Sequence, residues 1–173
     1  MSTPRKYSLW FRPSGEIASS LKRRIRELSE EYNSPAFEPH LTLLGGLKGD
    51  EEDLVQKTIS LASLLKPFDI VLTKAGYRDR YFQSLFVHVQ ESEELKNARQ
   101  KAEQLFGKSG GEYMPHLSLM YGDFTQEQKE RILNRMGREF HMRFTADSLL
   151  LIQTQGEPDR WKKSHTVKLD HTP

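Results

Sequence analysis

A proline, a histidine and a hydroxyl residue recur together in this chain. Pro39-His40-Leu41-Thr42-Leu43 returns 76 residues later as Pro115-His116-Leu117-Ser118-Leu119. Histidine titrates near neutrality, so one ring of such a pair can act as base while the other, protonated, acts as acid. The hydroxyls of Thr42 and Ser118 can donate hydrogen bonds to phosphate oxygens. That combination suits a phosphodiester, where charge builds on oxygen as a nucleophile attacks in line. A cyclic phosphate is an especially good match, because water attack and ring opening need only one base and one acid. Such assistance is worth about 10²–10⁴-fold in rate. The scheme calls for no metal and no cofactor.

The chemistry requires a geometry, and strands supply it. Side chains of a strand point to opposite faces in turn, so His40 and Thr42 share one face while Leu41 and Leu43 share the other. His116 and Ser118 are set apart from Leu117 and Leu119 in the same way. Each box then offers an imidazole and a hydroxyl to a cleft and anchors itself in core. Pro39 and Pro115 favour extended backbone before them and are tolerated where a strand begins. A lone His-x-Thr is usually a half-buried strand histidine beside a hydroxyl. Two copies with the same flanks point to function instead.

Composition is permissive. The 173 residues suffice for one packed domain, 36% are apolar, and 29% are charged. A net charge of +2 gives no bulk electrostatic case for nucleic-acid binding. It leaves room for a small anionic substrate met by local basic groups. The chain has no cysteine, which removes disulfides, thiolate metal sites and cysteine nucleophiles. No signal-like or membrane-spanning apolar run is present, and the expectation is a cytoplasmic monomer without membrane contact.

Around the boxes the pattern alternates between strand and helix. Tyr7 to Phe11 reads as an aromatic strand, then Ser14 caps a helix carrying Ile17, Leu21, Ile25 and Leu28. After the first box, Asp50 opens a helix with Val55, Ile59 and Ala62, ended by Pro67 before a strand over Phe68 to Leu72. Phe82 to Gln90 reads as a strand, followed by a Ser92-capped helix with Leu95, Ala102 and Leu105. After the second box, Thr125 starts a helix through Ile132, Leu133 and Met136. Phe140, Met142 and Phe144 then alternate into Leu149 to Ile152. Both halves thus read strand, helix, box, helix, strand, which suggests an internal repeat of about 5–76 and 81–152 with a closing strand at about 161–170. The expected class is α+β: two lobes with pseudo-twofold symmetry, two antiparallel sheets and flanking helices around a central cleft.

Pro-His-Leu-Thr-Leu together with Tyr113-Met114-Pro115-His116-Leu117-Ser118-Leu119-Met120-Tyr121 resembles the paired signature of the 2H phosphoesterase superfamily. Within it, the chain is most similar to the cyclic phosphodiesterases of plants and yeasts. Tyr7-Ser8-Leu9-Trp10, Tyr81-Phe82-Gln83 and Trp161 extend the likeness over nearly the whole chain. The resemblance implies metal-independent hydrolysis of ADP-ribose 1″,2″-cyclic phosphate, a by-product of tRNA splicing, and of nucleoside 2′,3′-cyclic phosphates to 2′-phosphates. It implies that His40 and His116 are catalytic, that Thr42 and Ser118 bind phosphate, and that Tyr121 contacts substrate. An enzyme of the same superfamily acting on RNA ends is the alternative. A binding module that holds nucleotide or RNA without turnover is another, against which the intact boxes speak.

Other residues carry two readings each. Trp10 either lines the cleft and stacks a base or ribose, or is core. Tyr77 to Phe82 is either a loop that grips nucleotide or a solvated hairpin tip, and Phe82 or Gln83 can face the cleft. Gly107-Lys108-Ser109 lacks the earlier glycine of a phosphate loop and follows a helix, so it reads as a helix stop. His88 reads as structural, and Arg160-Trp161-Lys162-Lys163 as a solvated face.

Overall fold

A computed structural model describes residues 5–109 and 111–172. It is α+β, with eight strands and four α-helices in the order β1 (Lys6–Phe11), α1 (Gly15–Tyr32), β2 (Leu41–Lys48), α2 (Glu51–Ser63), β3 (Phe68–Gly76), β4 (Leu85–Val89), α3 (Glu93–Phe106), β5 (His116–Met120), α4 (Gln126–Met136), β6 (Glu139–Ala146), β7 (Ser148–Gln153) and β8 (Lys162–Lys168). The strands form one antiparallel array ordered β6-β3-β4-β5-β2-β1-β7-β8. At its centre β2 and β5 meet through a single register pair, Leu41 with Leu117. The array is therefore two four-stranded halves hinged between the two boxes.

The halves exchange strands. β3 follows the first box in the chain yet pairs with β4, and β7 follows the second box yet pairs with β1. The helices cross over too: α1 packs on β5 and α3 packs on β2. The face opposite the histidines is sealed, with Leu41, Leu43, Leu117 and Leu119 all at 0% exposure. Burial of a leucine side chain contributes about 1.5–3 kcal/mol, so these four hold the box strands in register. A one-residue slip would turn the leucines to solvent and the histidines into core.

Local signals explain most elements. Ser92 and Thr125 each accept a hydrogen bond from an amide three residues on, and Thr125 with Gln128 completes a capping box. Ser14 occupies the N-cap of α1 but makes no capping bond, and that helix is held by the buried Leu21, Ile25 and Leu28. In α2 the buried face is Leu54, Thr58, Leu61 and Ala62 rather than Val55 and Ile59, and Ile59 is exposed. The rotation is possible because the Thr58 hydroxyl is satisfied internally, donating to the Leu54 carbonyl at 2.7 Å. Against the sequence reading, Tyr81–Gln83 forms a 3₁₀ turn and the strand begins only at Leu85. The stretch after α4 is two strands, broken at Asp147.

Candidate active site

β5 begins at His116, and His40 stands one residue ahead of β2. Each ring is fixed by the carbonyl two residues before it. His40 Nδ1 lies 2.7 Å from the Glu38 carbonyl, and His116 Nδ1 lies 2.8 Å from the Met114 carbonyl. A carbonyl only accepts, so Nδ1 carries the hydrogen in both rings and Nε2 is the nitrogen left for chemistry. The proline of each box has a part in this. The residue before a proline is confined to extended backbone, which aims the accepting carbonyl.

The rings border one cavity of about 620 Å³. All eight residues singled out from the sequence line it: His40, Thr42, His116, Ser118, Tyr121, Trp10, Phe82 and Gln83. Thr42 and Ser118 stand across the hinge, each opposite an aromatic on the next strand, with Trp10 beside Thr42 and Phe86 beside Ser118. Tyr113, just before the second box, braces the first: its hydroxyl donates to the Thr42 carbonyl at 2.7 Å. Arg99 of α3 donates to the neighbouring Leu43 carbonyl at 2.6 Å.

The electrostatics favour neutral rings. His40 is 5% exposed, lies against Trp10, and has its pKa pushed down to about 3. Burial is the main cause, and the charges of Arg12 and His116 act the same way against the Glu38 carbonyl. His116 is also lowered, chiefly by burial, with His88 and Arg78 contributing. Tyr121 is buried, stacks on Phe37 at 4.0 Å, and has its phenol pushed up by that burial. Among the described residues, no three His, Asp or Glu side chains gather as a metal set.

Trp10 is buried and also lines the cavity, in a small cluster with Leu150, Ile152 and Trp161. The turn bearing Phe82 and Gln83 is strapped down: Ser118 Oγ donates to the Phe82 carbonyl at 3.4 Å, and the Gly122 amide to the Tyr81 carbonyl at 3.0 Å. Phe82 remains 52% exposed at the mouth. Trp161 departs from the solvated face assigned to residues 160–163: it lines the cavity, edge-on to Trp10 at 5.8 Å. Lys6, Ser8, Thr154 and Gln155 also line it and were not anticipated. Strand alternation of Lys6, Ser8 and Trp10 was the available signal. Thr154 and Gln155 reach the site only because β7 pairs with β1.

Residues 6–172 match the family described as cyclic phosphodiesterase-like protein. A cyclic phosphodiesterase of Arabidopsis thaliana is 28% identical over 125 residues, covering 72% of this chain and 69% of that protein. A 2′,3′-cyclic-nucleotide 3′-phosphodiesterase of Yarrowia lipolytica is 23% identical, covering 90% and 95%. The crystal structure of Escherichia coli LigT complexed with 3′-AMP superposes with a TM-score of 0.65 at 14% identity, covering 96% and 99%, and attests the fold.

Proposed function

The chain belongs to the cyclic phosphodiesterase-like family, within the 2H phosphoesterase superfamily, and on that premise we propose that His40 and His116 hydrolyse a small cyclic phosphate by paired acid–base catalysis. The substrates are ADP-ribose 1″,2″-cyclic phosphate and nucleoside 2′,3′-cyclic phosphates. One observation carries the reading. Two histidines, each with Nδ1 committed to a backbone carbonyl, present Nε2 to one cavity beside the Thr42 and Ser118 hydroxyls.

In this scheme one Nε2, unprotonated, takes a proton from water as its oxygen attacks phosphorus. The bond from phosphorus to the ring oxygen breaks, and the Nε2–H of the other, protonated ring supplies the proton to that leaving oxygen. A nucleoside 2′,3′-cyclic phosphate becomes a 2′-phosphate when the 3′ oxygen leaves. Thr42 donates to a non-bridging oxygen as negative charge builds there, and Ser118 donates to another by turning its hydroxyl hydrogen away from the Phe82 carbonyl. Trp10, Phe82, Tyr121 and Gln83 wall the space for sugar and base. The bound phosphate supplies the charge that makes a buried imidazolium affordable in a site that otherwise keeps both rings neutral.

The deciding experiment is turnover, with product analysis, of ADP-ribose 1″,2″-cyclic phosphate, a nucleoside 2′,3′-cyclic phosphate and a cyclic-phosphate-ended RNA oligomer. The reading expects the small substrates to be opened in the presence of a strong chelator. Turnover of the oligomer alone would move the assignment to RNA ends, and binding without turnover would make the protein a nucleotide-binding module.

A further inference from the structure

The hydrolytic scheme leaves one end of the cavity unused, and that end is basic. Along β1 the residues on the cavity side are Trp10, Ser8 and Lys6, an indole, a hydroxyl and an ammonium at every second position. Lys6 stands opposite Lys48 in the β1–β2 register. Between that pair and the Trp10–Thr42 pair, β2 carries extra residues at a bulge that includes Gly45 and Gly46. Gly46 is left-handed, with φ of 64°, and lines the cavity.

The bulge admits a third ammonium. Lys108, just past α3, donates to the Gly45 carbonyl, and its Nζ lies 2.5 Å from where a Cβ on Gly46 would be. Any side chain at position 46 would displace it. Glycine is favoured here by its φ, and the room it leaves is taken by the end of the Lys108 side chain. Among the described residues, Lys6, Lys48 and Lys108 have no carboxylate within ion-pairing distance. Arg99 stands nearby, already paired with Glu103 at 2.7 Å. Lys6 lines the cavity, Lys48 is its partner across the β1–β2 pairing, and Lys108 lies against the cavity-lining Gly46, so three like charges stand side by side, repel each other and are poised for an anion.

Resting on the reading that the boxes hold a cyclic phosphate, we propose that Lys6, Lys48 and Lys108 form a second anion subsite for a phosphate or diphosphate carried elsewhere on the substrate. The ligand class is then a nucleotide with at least two separate phosphate groups. One is the scissile group at the histidines, and the other lies beyond Ser8 and Gly46. Lys108 is the member held in place by backbone, so it is the anchor of the subsite.

The test is calorimetric titration with 2′-AMP and with its 5′-diphosphate derivative, on the wild type and on a Lys6→Gln, Lys108→Gln variant. The wild type is expected to bind the diphosphate derivative about tenfold more tightly, the worth of one or two charge-assisted hydrogen bonds. The advantage should shrink to within about twofold in the variant, and in the wild type it should fall as salt is raised. Equal affinities in the wild type, or an advantage that survives in the variant, would overturn the proposal. Wild-type turnover of adenosine 2′,3′-cyclic phosphate, measured in parallel, reports on the hydrolytic reading by itself, because the binding comparison requires no catalysis.

Discussion

Trp10 lies flat on His40, with ring centroids 3.5 Å apart and planes 9° from parallel. At the same spacing of 76 residues, Phe86 meets His116 at 5.1 Å and 59°. The two histidines, nearly equivalent by sequence, thus differ in cover. An indole shields one face of His40, whereas His116 meets a tilted phenyl and is more open to solvent. Shielding excludes water from a ring that must be hydrated to hold charge, which is why the pKa of His40 is driven so low.

The pH dependence of turnover should differ between free and liganded enzyme. With both rings lowered, the form carrying one imidazolium and one imidazole is populated in the free site only below the ordinary histidine range. Bound phosphate favours the imidazolium and moves that window upward. The bell for kcat should therefore be centred at higher pH than the bell for kcat/KM, the two reporting bound and free enzyme. Superimposable bells would contradict the lowered pKa values, and a monotonic profile would contradict the acid–base pair.

Trp10→Phe should release His40. The smaller ring leaves room for water against the imidazole, so the titration of His40 followed by NMR should rise toward the ordinary value near 6.5. His116, which does not touch Trp10, should titrate as in the wild type. A low-titrating His40 in the variant would assign the shift to its other neighbours, Phe37 and Trp161.

Burial of neutral His40 also makes stability depend on pH. Its folded pKa lies below its unfolded one, so the unfolded chain binds the extra proton first. The stabilisation is complete above about pH 6.5 and is lost as pH falls toward about 3, with a limiting slope of about 1.4 kcal/mol per pH unit. Thermal melts between pH 7 and 4 should show a shallower fall for His40→Gln than for the wild type. Parallel falls would place the acid sensitivity elsewhere.

Removal of either Nε2 should cost catalysis rather than folding. His40→Ala and His116→Ala are each expected to lower kcat by about 10²–10⁴-fold. The double variant should lose much less than the product of the single losses, because the two groups act in one step. An active His116→Ala protein would end the paired mechanism.

Lys129 is 3% exposed and donates to the Arg78 carbonyl at 2.8 Å, while the Arg78 amide bonds the Gln83 carbonyl at 2.9 Å. Through that link α4 holds the turn that carries Phe82 and Gln83. Lys129→Met should raise KM several-fold with little change in kcat, and should cost about 1–3 kcal/mol for the orphaned carbonyl. Equal effects on kcat and KM would indicate that the turn takes part in the chemical step. Unchanged KM would show that the turn holds its place without α4.

How much of this was legible depends on the distance over which each feature is decided. Alternation within five residues already set the histidines and hydroxyls on one face and Leu41, Leu43, Leu117 and Leu119 on the other, since strand geometry allows nothing else. Caps at Ser92 and Thr125 were equally local. The 3₁₀ turn at Tyr81–Gln83 was not, because the carbonyls of Tyr81 and Phe82 are claimed by Gly122 and Ser118, far along the chain. Trp161 read as part of a basic surface run, and only the antiparallel pairing of β1 with β7 and β7 with β8 carries its ring to Trp10.

By itself, then, the sequence determined which groups could do chemistry and on which face of each box they stand, because strand geometry acts over neighbouring residues. The tertiary structure decided what surrounds them: the hinge at Leu41 and Leu117, the aromatic cover over His40, and the approach of Lys108 to Gly46 on the cavity wall. Burial and charge are sums over everything packed within a few ångströms, and here those neighbours are contributed by segments more than a hundred residues apart.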